Sequence, residues 1–167
     1  MKNKGRIAIL VTLLAAGATA LWWYQRPAQN EIQVGTILGL TGENAAYGKE
    51  MKRGFDFAID EVNSQGGVLG KKLSLVAEDS QFDPANAVTA YQRLTSIRNI
   101  WLIVGVTGST NALAVCAAAK NDHAVILDPL GSAPALTSGK FPGYFRIMAS
   151  DAFAGKYDVD WAIADGM

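Results

Sequence analysis

Cysteine and histidine are almost missing from this chain: one of each, Cys116 and His123, in 167 residues. A lone cysteine excludes an intrachain disulfide, and a lone histidine leaves no ligand set for a zinc site of the usual spacing. Cys116 sits in Ala112-Leu-Ala-Val-Cys-Ala-Ala-Ala119, a small apolar setting that suits a buried, inert helix position. His123 follows Asp122 and reads as a surface turn residue. No Gly-x-Gly-x-x-Gly follows the first strand-like run, so the dinucleotide fingerprint is absent. Gly70-Lys71 and Gly139-Lys140 lack the upstream glycine and the following Ser or Thr of a phosphate-binding loop. There is no Gly-x-Ser-x-Gly elbow. With no basic stripe or basic-aromatic cluster, nucleic acid is not an expected partner. No catalytic set assembles, so no enzyme activity and no cofactor are expected.

What is present begins with a charge asymmetry. Lys2, Lys4 and Arg6 precede the uncharged, apolar run Ile7–Tyr24, while every acidic residue lies beyond residue 20. Removal of residues 1–20 would leave a net charge of about −3. A basic head before an apolar stretch is what the secretory machinery reads, and Ala18-Thr19-Ala20 offers a small-x-small cleavage pattern. The stretch is also near the minimum length for a membrane span, and Trp22-Trp23-Tyr24 resembles an interfacial aromatic belt. Residues 1–26 are therefore expected to be a signal peptide or a membrane anchor, and 27–31 a linker. The remainder is expected to be periplasmic or otherwise extracytoplasmic. No cysteine lies near the cleavage pattern, which excludes a lipoprotein.

From residue 32 strands and helices alternate. The composition, half apolar and 18% charged, suffices for one α/β domain. Ile32–Leu40 is a β-rich run. A helix is expected over Asn44–Ser64, with Tyr47, Met51, Phe55, Ile59 and Val62 on one face. Gly66-Gly67 would end it. Lys72–Asp79 reads as the second strand, and Asp83-Pro84 as cap and first residue of the next helix. Trp101–Gly105 is apolar throughout and is expected to be central and buried on both faces. Ser109–Asn121 reads as a helix and Ala124–Asp128 as a strand. Pro129–Gly143 is a loop, Tyr144–Ile147 a short strand, and Ala152 starts a last helix. The pattern implies a Rossmann-like, doubly wound parallel sheet with helices on both faces.

In such a sheet ligands bind beyond the carboxyl ends of the strands. Three of those ends carry small hydroxyl and glycine residues: Thr41-Gly42, leading to Tyr47-Gly48; Thr107-Gly108-Ser109-Thr110; and Leu130-Gly131-Ser132. At Ser109 a helix begins, where free amide hydrogens and the positive end of the dipole favour a carboxylate. On this evidence alone Ser109 reads equally as an ordinary helix cap and Ser132 as a loop serine.

At these residues the chain resembles the periplasmic branched-chain amino acid binding proteins of ABC transporters, the leucine/isoleucine/valine-binding family. The resemblance runs from Ile32 to about Gly155. It rests on Gly42-Glu-Asn-Ala-Ala-Tyr-Gly48, Asp60-Glu61-Val-Asn63, Gly66-Gly-Val-Leu-Gly-Lys-Lys-Leu73, Glu78-Asp79 with Asp83-Pro84, and Pro129 through Thr137. It implies a type I periplasmic binding protein, a clamshell of two α/β lobes closing on an amino acid for delivery to membrane permease subunits. Residues 32–167 would be the N-terminal lobe, with the second lobe absent and apolar surface exposed where it belongs. The same lobes also serve as sensor domains of membrane-anchored receptors, the alternative reading. Carried over by position, Ser109 falls on the carboxylate-binding hydroxyl and Ser132 on a hydroxyl touching the ligand head group. Leu130 falls on a contributed backbone carbonyl, Tyr47 on a first-loop aromatic and Asp151 on an aspartate near the cleft; Thr107 and Gly108 line the same turn. Two departures stand out. Positions that carry a disulfide in some members are Phe82 and Gly108 here, and a glutamine often found after the aspartate is Ala154.

Overall fold

The structure, a computed structural model, describes residues 31–167; the expected signal or anchor segment and nearly all of the linker lie outside the described residues. Five strands form one sheet in the order β2-β1-β3-β4-β5. They are β1 (Glu31–Leu38), β2 (Lys72–Asp79), β3 (Leu102–Val106), β4 (Val125–Asp128) and β5 (Tyr144–Arg146). The β1–β3, β3–β4 and β4–β5 pairings are parallel, as the alternation of strand and helix requires. The helices are α1 (Ala45–Ser64), α2 (Pro84–Gln92), α3 (Ser109–Ala118) and α4 (Asp151–Ala164). A π-helical turn, Arg93–Ile97, extends α2. Among the described residues no helix is long and apolar enough to cross a membrane.

Local chemistry sets the element ends. Asp83 caps α2 by accepting from the Asn86 amide at 2.9 Å, with Pro84 at the first position. Gly66 and Gly67 follow α1 with φ of 101° and 74°, angles that side-chain-bearing residues rarely adopt. Asn63 clasps α1 to β2, its side-chain amide donating to Leu73 O at 2.8 Å and accepting from Leu73 N at 2.7 Å.

The two faces of the sheet differ. One carries Ile37, Ile103, Val106, Ile126 and Tyr144, and α2 and α3 cover it with Ala87, Tyr91, Leu94, Ala112, Val115 and Cys116, all buried. Burial, with Asp128 nearby, pushes the Cys116 thiol up to about 12, so the thiolate is scarce at neutral pH. Among the described residues the other face is covered only where α1 lies. There Phe55, Ala58 and Ile59 border an open apolar groove of about 390 Å³ floored by Ile32, Val34, Leu102, Val104 and Leu127. β3 is central in the strand order, as its apolar run implies, yet it is not buried on both faces: Leu102 is 41% exposed while Ile103 is fully buried. β4 repeats the asymmetry, with Val125 and Leu127 exposed and Ile126 and Asp128 buried. Tyr47, at the start of the expected apolar face of α1, is half exposed. The last helix forms as expected, but it contains no buried residue; Phe153, Tyr157 and Trp161 are all more than half exposed.

A one-residue bulge interrupts β3. Gly35 pairs with Ile103 and Ile37 with Val106, so two steps along β1 match three along β3. Gly105 takes φ of 77° there, and a Cβ at that position would fall 2.6 Å from the Phe55 ring. The bulge returns Val106 to the α2/α3 face and redirects the chain leaving the strand.

At the end of β2, Asp79 holds the turn after β1. Its carboxylate accepts from Leu40 N (2.8 Å), Thr41 Oγ1 (2.5 Å) and Gln81 N (2.8 Å). Burial pushes its pKa up, but the Thr41 hydroxyl and the amides of Gln81, Leu40 and Thr41 outweigh that and hold it below the ordinary value. A depressed carboxylate contributes stability above its unfolded pKa, near 3.9, and loses it as pH falls through the folded value. Urea midpoints measured from about pH 6 downward should therefore fall more steeply below about pH 4 for the wild type than for Asp79→Asn; identical profiles would rule out this contribution. The face asymmetry makes a second prediction. Ile126→Ala should cost about 3 kcal/mol, whereas Leu127→Ala, one residue away, should cost about 1 kcal/mol or less. Equal losses in urea titrations would show that the open face is covered.

Candidate ligand-binding site

The ends of β1, β3 and β4 lie side by side, and the loops leaving them meet. From β3 the chain passes through Thr107 into Gly108, whose φ of 88° and ψ of 138° suit glycine alone. α3 then begins at Ser109. No side chain caps it, and the first intrahelical bond runs from Ala112 N to Gly108 O at 3.0 Å. The amides of Ser109, Thr110 and Asn111 are thus the unpaired donors of a helix start, at the positive end of its dipole. Ser109 Oγ accepts from Ala133 N at 3.3 Å. Its own hydrogen stays free to donate.

From β4 the chain enters the loop 129–133. Asp128, fully buried, accepts from Leu130 N at 3.0 Å and from Tyr144 Oη at 2.9 Å. Burial and the Asp128 charge push the Tyr144 phenol far above its ordinary pKa, so it remains a donor. Ser132 Oγ donates to Asp151 Oδ2 at 3.1 Å, and Asp151 N returns a bond to Ser132 O at 3.0 Å. Among the described residues the Leu130 carbonyl accepts no hydrogen bond.

The structure therefore brings Ser109, Gly108, Ser132, Leu130 and Asp151 to one end of the sheet. Thr107 stands behind them: it is fully buried, and its hydroxyl accepts from Gly39 N at 3.3 Å and donates to Met51 Sδ at 3.6 Å. It shapes the turn and offers no free hydroxyl. Tyr47 lies on the first turn of α1, next to Gly48, where a Cβ would meet Gly39 O at 2.1 Å. That backbone contact seats the start of α1 on the turn after β1. Tyr47 makes no hydrogen bond to the other site residues among those described.

Several participants escape a reading of the sequence alone. Asn111, buried, donates from Nδ2 to Thr107 O at 2.8 Å and ties the helix start to the strand end. Asp128, Tyr144 and Arg146 stabilise the second loop from strand positions that look merely structural. Phe82 and Gly108, the pair that the family resemblance sets at the disulfide position of some members, do meet. The Phe82 ring lies 3.1 Å from where a Gly108 Cβ would be, and both border an open hollow of about 400 Å³ with Ser109, Thr110 and Asn111. An aromatic contact occupies that place here.

This arrangement has close counterparts. Residues 31–166 match the family described as periplasmic binding protein. The Leu/Ile/Val-binding protein BraC3 of Rhizobium johnstonii is 32% identical over 124 residues, 74% of this chain and 34% of its own. The Leu/Ile/Val-binding protein of Escherichia coli is 25% identical over 142 residues, 85% of this chain and 38% of its own. Among solved structures, the branched-chain amino acid transporter substrate binding protein LivJ from Streptococcus pneumoniae, in complex with isoleucine, superposes with a TM-score of 0.72 at 27% identity. That match covers 79% of this chain and 38% of the other. The chain thus spans about a third of the length of the curated relatives it matches. On the strength of the match over residues 31–166 and of the shared sheet, the chain belongs to the periplasmic binding protein family.

Proposed function

We propose that this chain supplies the first lobe of an extracytoplasmic solute-binding component of an ABC transporter, and that the solute is an amino acid of the branched-chain class. The single observation that carries this is the convergence of opposite polarities at one end of the sheet. The Ser109 hydroxyl and the amides of Ser109, Thr110 and Asn111 are donors suited to a carboxylate. The Asp151 carboxylate, the Ser132 hydroxyl and the free Leu130 carbonyl are acceptors suited to an ammonium. A zwitterion presents both groups within one small molecule. Tyr47, half exposed on the first turn of α1, is a candidate wall for its side chain.

No step of bond making or breaking is involved; capture needs only reversible hydrogen bonds, and permease subunits in the membrane are the proposed recipients. Residues 1–26 act as signal or anchor and 27–31 as linker. The relatives are longer, and the open groove beside α1 is the place where the remainder of a longer protein would seat apolar side chains.

Titration of the ¹⁵N-labelled chain with L-leucine should shift the amide resonances of Ser109–Asn111 and of Ser132–Ala133 before others. Half a cleft should bind weakly, in the millimolar range. Ser109→Ala should weaken binding roughly tenfold or more, the worth of a hydrogen bond to a charged group. A saturable response elsewhere on the surface, or none at those amides for any of the twenty amino acids, would refute the assignment.

A further inference from the structure

The loop after β4 has to present Ser132, Leu130 and the Ala133 amide together, yet it contains glycine and proline and only one short helical turn, Pro134–Thr137. Its order comes from elsewhere. Arg146, half-buried at the end of β5, extends its guanidinium into the loop. Nη1 lies 3.2 Å from Gly131 O, 2.9 Å from Ser132 O and 3.1 Å from Ala133 O. Nη2 donates to Thr137 Oγ1 at 2.6 Å. One nitrogen carries two hydrogens, so the three carbonyls share them around a single positive centre. Three consecutive carbonyls would repel one another without a cation between them.

We propose that Arg146 is the positioning residue of this loop: its guanidinium gathers the carbonyls of Gly131, Ser132 and Ala133 to one side and so sets Ser132 Oγ against Asp151 and Ala133 N against Ser109 Oγ. Two of the three residues it contacts, Ser132 and Ala133, put their other groups into the site. Ser132 O accepts from Arg146 and from Asp151 N at once. Ala133 uses its carbonyl on Arg146 and its amide on Ser109. A second anchor from the same strand supports the loop beneath: Gly131 is seated so closely that a Cβ would lie 2.2 Å from Tyr144 Oη and 2.6 Å from Asp128 Oδ2. Tyr144 and Arg146 are two apart on β5 and so share a face. This short strand thus orders the loop as well as closing the sheet.

The role is separable from packing of the arginine stem. Arg146→Met keeps an apolar stem and removes the fork; Arg146→Lys keeps a charge that can reach carbonyls but cannot also reach Thr137; Thr137→Val removes the Nη2 contact alone. Amide hydrogen exchange on the full chain is the readout. Exchange at Ala133 and Asp151 should rise at least tenfold in Arg146→Met and less in Arg146→Lys and Thr137→Val. Exchange at Thr107 and Ile126, whose amides donate to Ile37 O and Gly143 O, should stay unchanged. Unchanged exchange at Ala133 and Asp151 in Arg146→Met, or an equal rise at all four amides, overturns the proposal. Its relevance to binding rests on the function proposed above, so L-leucine titration is a separate arm. Arg146→Met should bind at least tenfold more weakly than wild type. If the wild-type chain takes no leucine, the ligand assignment fails while the exchange comparison still decides the role of Arg146.

Discussion

The pairing of β1 with β3 carries an extra residue at Gly105, and the geometry of the whole end of the sheet follows from it. A strand alternates faces with a strict period of two, so one inserted residue shifts the phase of everything after it. Without the bulge Val106 would turn toward α1 and Thr107 toward the α2/α3 core. With it, Val106 joins that core, and the Thr107 hydroxyl takes the Gly39 amide. Gly108 then leaves at an angle that aims the start of α3 past the sheet. Gly105 is permitted there for two reasons at once: its φ is positive, and the Phe55 ring occupies the space a side chain would need. The bulge therefore joins α1, β1, β3 and α3 in one constraint, and the helix start inherits its direction from it.

A second constraint is hydrogen-bond supply. Loops at the carboxyl ends of strands leave many backbone groups with no ladder partner, and water is not available to those that are buried. This chain assigns charged side chains to two of these loops, those after β1 and β4. Asp79 collects the donors of the turn after β1; Arg146 collects the acceptors of the loop after β4. Asp128 supplies the acceptor beneath that loop. Charged groups make stronger hydrogen bonds than neutral ones, so a few side chains can order backbone that no secondary structure holds. The groups left over, among them the amides opening α3 and the Leu130 carbonyl, are the ones free to meet a ligand.

Much of this fold was legible in the sequence because it rests on local signals. The glycine pair after α1, the Asp83-Pro84 start of α2 and the alternation of strand and helix are all short-range features, and they landed within a residue or three of the observed ends. The bare face of the sheet was not legible at the level of strands. Val104 and Leu127 are as apolar as Ile103 and Ile126, and an apolar run does not say which of its faces has a cover. Of the site, Ser109, Ser132, Leu130 and Asp151 could be placed together because the family pattern spaces them so. Thr107 could not be distinguished from a ligand contact, since the bulge that buries its hydroxyl is a tertiary event. Arg146 carried no signal at all: an arginine ending a short strand reads as surface charge, and its role exists only because the loop before it folds back to it.

If the candidate site takes a ligand as proposed, the bond between Ser132 and Asp151 couples the order of the site to its capture. The bond is open to solvent, so it competes with water and holds the pair only loosely. A carboxylate already engaged by one hydroxyl keeps further lone pairs free, so an ammonium can add to Asp151 without displacing Ser132. The hydroxyl oxygen of Ser132, with its hydrogen directed at Asp151, also presents a lone pair outward. An incoming cation would thus find two acceptors already aligned, and the arriving charge would strengthen the bond that aligned them. Asp151 opens α4, whose exposed aromatic residues are not tied to the rest of the sheet in this structure. Asp151 itself is held to Ser132 through both its amide and its carboxylate, so the start of α4 is fixed to the loop after β4 while the rest of the helix stays uncovered. A ligand bridging Ser109 and Asp151 would add its own bonds to the chain Ser109–Ala133 and Ser132–Asp151 that already holds the two groups at one end of the sheet.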